Sequence, residues 1–219
     1  DKLGYVGNDL ANYNTYGYKS VRFEQMLRED GYIAGAQRTD CSQGSVRITE
    51  NPYDVAIEGA GYIPVTSEDG EVQYTRDGSF MTDKDGYLVT KTGDLVGSGI
   101  QIDGASEKIE IRENGDVFCY KRLIDEPEYK GTIPVVQFQN PEALKEVGAS
   151  EFVATEQSGN MKLVENHNYI KQYGVERSNL DTISEVYMIS RINASILASS
   201  SLMKAVNSMY DTMFNNLTT

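Results

Sequence analysis

The sequence predicts a mainly β chain with terminal α-helices, in which one antiparallel β domain is inserted between N- and C-terminal helical segments. Three observations predict it. Short runs rich in β-branched and aromatic residues recur about every 8 to 12 residues through the middle of the chain, with no long helical pattern between them. The stretch from Ser178 to Thr219 reads as one long helix nearly free of charge. Near the other end, Leu3, Val6 and Leu10 share helical spacing. The expected boundaries are residues 1–40 with 174–219 for the terminal helical segments and 41–173 for the β domain.

Taken in order, the N-terminal segment mixes Asn, Gly and Tyr with apolar pairs, and Gly17 interrupts its helical reading. Strands are expected at Val46–Thr49, Asp54–Glu58, Tyr62–Thr66, Val72–Arg76, Tyr87–Lys91, Lys108–Arg112, Val117–Tyr120 and Thr132–Gln139. Asp69-Gly70, Asp85-Gly86 and Asn114-Gly115 mark hairpin turns, because Gly and Asn tolerate the positive φ that tight turns require. Asn140-Pro141 breaks the pattern, Pro141–Val147 reads as a turn or two of helix, and strands resume at Phe152–Thr155, Met161–Val164 and Tyr169–Tyr173.

In the last helix, taking Ile189 as position a of a heptad puts Ile189, Ile192, Ile196, Ser199, Met203, Val206, Tyr210, Met213 and Leu217 at the a and d sites, all but Ser199 apolar. The opposite face carries Ala194, Ala198, Ser201, Ala205 and Ser208 where a solvated helix would place Lys and Glu. Between Val186 and Tyr210 only Arg191 and Lys204 are charged. Such a helix expects neighbours on more than one side, and the chain holds no second helix of matching length. The seam could close a monomeric bundle, but too few other helices exist to cover it.

The net charge of −13, with no Lys/Arg cluster, lacks the electrostatic footprint for nucleic acid or an anionic membrane surface. No apolar run is long enough to span a bilayer, so membrane insertion is not expected. Asp1-Lys2-Leu3-Gly4 has neither the basic nor the apolar region of a secretory signal. Cys41 and Cys119 are too few and too distant in sequence for a zinc site and read as two free or partly buried thiols, with a disulfide between them as the alternative. A catalytic triad would rest on the single histidine, His167. Around Asp83-Lys84-Asp85-Gly86, an EF-hand register would put Met81 and Thr92 where carboxylates belong, so the run reads as a hairpin turn. Gly59-Ala60-Gly61 and Gly97-Ser98-Gly99 are too short for phosphate loops. No catalytic residue, cofactor or metal is expected. The 15 tyrosines of a sheet-rich chain read as strand formers.

Several runs resemble the bacterial flagellar rod and hook protein family. Asn8-Asp9-Leu10-Ala11-Asn12-Tyr13-Asn14-Thr15-Tyr16-Gly17-Tyr18-Lys19 is similar to its N-terminal signature, an Asn-rich helix followed by Thr-x-Gly-Tyr-Lys. Pro52 to Tyr62 is similar to the stretch leading into the family's β domain. Tyr74-Thr75-Arg76-Asp77-Gly78-Ser79-Phe80, then Asp83, Gly86, Leu88-Val89-Thr90, Gly93 and Val96-Gly97, follow its turn repeat. Glu176-Arg177-Ser178-Asn179-Leu180-Asp181 opens the last helix in the same manner. The short β region looks more like a rod subunit of the FlgG and FlgF type than a hook subunit. Two departures stand out: the family carries more apolar helix ahead of the Asn-rich motif, implying residues upstream of Asp1, and Ile192-Asn193-Ala194-Ser195-Ile196 differs from the usual run.

The resemblance implies a structural subunit of the basal-body rod, exported through the flagellar type III apparatus without a cleaved signal and polymerised in the periplasm into a hollow, torque-transmitting shaft. Its partners would be itself and other rod and hook axial proteins, with the export apparatus as a transient one. The seam residues would form the assembly surface, with Leu3, Val6 and Leu10 as the intramolecular partner face. Asn8, Asn12, Thr15, Gly17 and Tyr18 would fix the turn out of the helical layer. A secreted β-rich binding module with a helical stalk and a hook-type axial subunit are the alternatives.

Overall fold

A computed structural model describes residues 2–27, 33–104, 106–122, 124–165 and 169–217. Helix α1 (Lys2–Ala11) precedes a hairpin of β1 (Val21–Leu27) and β2 (Ile33–Thr39). Then come β3 (Val46–Ile48), β4 (Val55–Ile57), β5 (Ile63–Thr66), β6 (Val72–Thr75), β7 (Met81–Thr82), β8 (Leu88–Val89) and β9 (Leu95–Val96). Strands β10 (Ser106–Ile111), β11 (Asp116–Lys121), β12 (Ile124–Thr132) and β13 (Val136–Gln137) lead to a 3-10 turn at Pro141–Ala143. The chain continues through β14 (Lys145–Gly148), β15 (Glu151–Val153), β16 (Lys162–Leu163), β17 (Ile170–Gln172) and β18 (Gly174–Glu176) to α2 (Thr182–Leu217). Terminal helices thus flank an antiparallel β region, as expected.

Seven strands form the largest sheet, in the order β14-β15-β6-β5-β9-β8-β7, every neighbouring pair antiparallel. A β10-β11-β12 meander and the two-stranded pairs β17-β4, β18-β3 and β13-β16 complete the region. The predicted turns close its hairpins. Gly70, Gly86 and Gly115 have φ of 82°, 84° and 89°, joining β5 to β6, β7 to β8 and β10 to β11. Inward-facing positions of different sheets share one core, including Val55, Ile63, Val65, Phe80, Leu88, Ile109, Val117 and Ile133. A second cluster holds Tyr62, Tyr74, Phe138 and Phe152, with Tyr74 and Phe138 edge to face at 4.8 Å.

Three expectations are corrected. Val21–Leu27 and Ile33–Thr39, placed from sequence in the terminal helical segments, pair as strands; Val21 and Phe23 alternate with Arg22 and Glu24, a two-residue period. Thr132–Gln139 is not one strand but the end of β12 and β13, because Pro134 offers no N–H to continue a ladder. Pro141–Val147 is helical only as a 3-10 turn to Ala143, after which β14 begins. The last helix starts at Thr182. Asp181 caps it, its Oδ1 accepting from Ile183 N at 3.1 Å and its Oδ2 from Ser184 Oγ at 2.7 Å.

The chain divides into two compact units, one of residues 1–11 with 181–219, the other of residues 12–180.

Candidate assembly surface and the neck of the β unit

Within the first unit α1 packs against α2. Val6 is buried, while Leu3 and Leu10 are largely exposed. The half-buried residues of α2 are Thr182, Glu185, Met188, Ile189 and Ile192, which fall on one face of its first three turns. Burial, together with the charges of Asp9 and Asp181, pushes the Glu185 carboxyl up. Beyond Ile192 the cover ends. Every residue from Asn193 to Phe214 is exposed, a run that rises about 33 Å along the helix axis. It continues the same face: Ile196 is 55% exposed, Met203 70%, Tyr210 59% and Met213 59%. Val206 is also exposed, and Leu217 ends α2 with its side chain outside the described residues.

Large apolar groups extend past the seam, since Leu197, Leu202 and Met209 are exposed on its flanks. Three hydroxyls along the helix bond to its own backbone. Ser190 Oγ donates to Val186 O at 3.0 Å, Ser201 Oγ to Leu197 O at 2.9 Å and Thr212 Oγ1 to Ser208 O at 2.8 Å. These groups carry no unmet donor into a contact.

In the second unit, the chain's entrance and exit are tied together. Thr15 N donates to Asn12 O at 3.0 Å and Thr15 Oγ1 to Asn12 Oδ1 at 3.1 Å, closing a tight turn. Gly17 follows at φ 67°; a Cβ there would lie 2.3 Å from Asp77 N, so only glycine fits. Its N–H donates to Glu176 O at 2.9 Å. Tyr18 is buried, and its carbonyl accepts from Asn179 N at 3.4 Å. Asn179 then accepts from Ser20 N at 2.8 Å and donates to Asp40 O at 2.7 Å. Asn8 lies in α1, on the exposed side.

At the centre of this neck sits a charged cluster that sequence reasoning did not single out. Glu176, fully buried, accepts from Lys19 Nζ at 2.5 Å and Gly44 N at 2.9 Å through Oε1, and from Arg76 Nη1 at 2.8 Å through Oε2. Arg76 Nη2 also donates to Gly59 O at 2.7 Å, and its guanidinium lies 5.4 Å from the Tyr62 ring centroid. Burial lowers the Lys19 ammonium pKa, and the Glu176 charge works against that fall. The three residues sit one in each of three quoted motif runs, the only hint the sequence offers of a joint role.

Cys41 and Cys119 are both free thiols. His167 lies outside the described residues. Among the described residues no group of three or more His, Cys, Asp and Glu is placed to hold a metal, and no helix is long and apolar enough to cross a membrane.

A family profile described as flagellar hook protein FlgE/F/G D1 domain matches residues 56–119, from β4 to β11. The flagellar basal-body rod protein FlgG of Caulobacter vibrioides is 30% identical over 210 residues, covering 83% of this chain and 80% of the relative. That of Borreliella burgdorferi is 32% identical over 180 residues, 70% of this chain and 68% of the relative. The flagellar hook protein FlgE of Rhizobium meliloti is 35% identical over 103 residues, but these make up 42% of this chain and 25% of the relative.

Proposed function

This chain belongs to the flagellar rod and hook protein family, and from that premise we propose that it is a structural subunit of the basal-body rod. It polymerises through its terminal helices into a hollow helical shaft that carries torque from motor to hook. The observation that carries this reading is the uncovered run of α2. Ile189 and Ile192 are half-buried on the face turned to α1, and Ile196, Met203, Val206, Tyr210 and Met213 prolong that face with nothing over it. A helix apolar along such a length is stable in water only with neighbours. A repeated head-to-tail contact whose rotation does not close yields an open tube.

The rod reading is favoured over the hook one by extent of match. Rod proteins align with this chain over two thirds or more of their own length, the hook protein over a quarter. The partners are then copies of this chain and adjoining rod and hook proteins, and the site is the periplasmic rod, reached through the flagellar export apparatus.

The test is assembly. On concentration the chain forms tubular or helical polymers visible by electron microscopy, whereas Ile196→Asp and Val206→Asp remain monomeric with the melting of the β unit unchanged, since both side chains are exposed in the single chain. Polymers of ordinary length from either variant would overturn the reading.

A further inference from the structure

A cavity of about 160 Å³ opens in the β unit between the β8–β9 turn, β15 and the segment after β6. Its walls include Thr90, Thr92, Asp77 and Glu151, and the buried Asp94 adjoins them. Three short contacts converge on one hydroxyl. Thr92 Oγ1 lies 2.6 Å from Thr90 Oγ1, 2.6 Å from Asp94 Oδ2 and 2.9 Å from Glu151 Oε1.

Each contact needs one hydrogen between its heavy atoms, and the two threonines supply one each. The third hydrogen must come from a carboxyl. Thr90 can donate to Thr92, and Thr92 to Asp94, whose 2.6 Å contact has the length of a hydroxyl bonded to an ionised carboxylate, which leaves the longer 2.9 Å Glu151 contact to be made by a proton on Glu151 itself. Two ionised carboxylates sharing this hydroxyl would leave one contact with no hydrogen and two like charges side by side.

We propose that Glu151 is protonated in the folded chain at mildly acidic pH, and that its O–H, donated to Thr92 Oγ1, is a pH-sensitive fastener between β15 and the β8–β9 turn. The surroundings agree. Burial first, and then the nearby Asp94 and Asp77 carboxylates, push the Glu151 carboxyl up to about 7, against the opposing pull of the Thr92 hydroxyl. From β6, Thr75 stands opposite Glu151, while the neighbouring Arg76 is committed to Glu176. From β14 the partner is the uncharged Gly148. Lys91, on the β8–β9 turn, reaches Asp77 Oδ2 at 3.3 Å.

The backbone entering β15 gives the fastener something to hold. Ala149 and Ser150 adopt φ of 51° and 60°, the left-handed region that non-glycine residues avoid. Ser150 O accepts from Thr75 Oγ1 at 3.0 Å, and Ser150 Oγ is buried without a partner. Strain of this kind persists only where neighbours over-determine it. Loss of the Glu151 proton removes one such contact, so the fastener loosens as pH rises through neutrality.

A carboxyl whose folded-state pKa is raised contributes stability that is present below its unfolded value and is lost as pH rises to the folded value. Urea unfolding of the full chain, wild type against Glu151→Gln, across about pH 4.5 to 8 therefore isolates it. His167, and the Glu185 carboxyl that burial pushes up, are common to both proteins and cancel. The wild type's folding equilibrium constant, relative to the variant's, falls on the order of 100-fold across that window and levels off above about pH 7. A pH-independent ratio overturns the proposal. If Glu151→Gln does not fold, infrared spectra of the wild type decide: a protonated-carboxyl band that bleaches near neutrality, and at lower pH in Asp94→Asn, supports it, and the absence of that band overturns it.

Discussion

Replacing Glu176 by Gln keeps the shape of the side chain and removes the only anion of the neck cluster. In the wild type its two oxygens accept from Lys19 Nζ, Gly44 N and Arg76 Nη1, and its side chain and that of Lys19 have no exposed surface. The amide can still accept through one oxygen, but its NH2 group then faces a cation, and two buried positive charges lose their counter-charge. Breaking a buried ion pair from one side costs about 3 to 5 kcal/mol. Two ion pairs are at stake here, which places the loss near 4 kcal/mol, a large part of a domain's usual 5 to 15 kcal/mol. Urea unfolding of the full chain followed by tyrosine fluorescence reads it, the chain having no Trp. The deficit narrows at alkaline pH, because burial already lowers the pKa of Lys19 and a neutral amine no longer needs the carboxylate. A loss below about 1 kcal/mol, or one insensitive to alkaline pH, would refute the assignment of Glu176 as the counter-charge that holds the neck.

Other outcomes follow from the same structure. Gly17→Ala sets a methyl against the Arg76–Asp77 backbone at positive φ and lowers the melting temperature of the β unit, whereas Gly4→Ala, in open space on α1, stabilises that helix by about 0.5 to 1 kcal/mol. Equal effects of the two would remove the close-approach reasoning. Cys119, fully buried, is alkylated only on unfolding, and Cys41 reacts slowly in the native chain because burial pushes its thiol pKa up. Mass spectrometry after alkylation with and without urea checks both, and rapid native labelling of Cys119 would contradict the described core.

Local signals carried most of the β region. Turn dipeptides locate hairpins because the φ they permit is a property of one or two residues, as at Gly70, Gly86 and Gly115. The β1–β2 hairpin escaped, although Asp30-Gly31 stands between its strands, because Glu24, Gln25, Met26 and Leu27 are good helix formers. The heptad spacing of α2 was plain, and so was the absence of a partner of equal length. The Lys19–Glu176–Arg76 cluster was not, since its members are separated by up to 157 residues and only the closure of the neck brings them together. Their carboxylate and cations look in sequence like any solvated charges. The proton-bearing Glu151 was hidden for the same reason, its partners Thr92 and Asp94 being 59 and 57 positions away.

The neck also determines how the β unit responds to force. Entrance at Gly17–Ser20 and exit at Glu176–Asn179 are hydrogen-bonded to each other, so tension applied between residues 12 and 180 is shared first by that handful of contacts and the Glu176 cluster. Most of the seven-stranded sheet lies outside this short circuit, joined to it through Arg76, which directly follows β6. It bears little load while the neck holds, and its hairpin tips can lengthen or change sequence without altering the stiffness between the two ends of the chain that leave it.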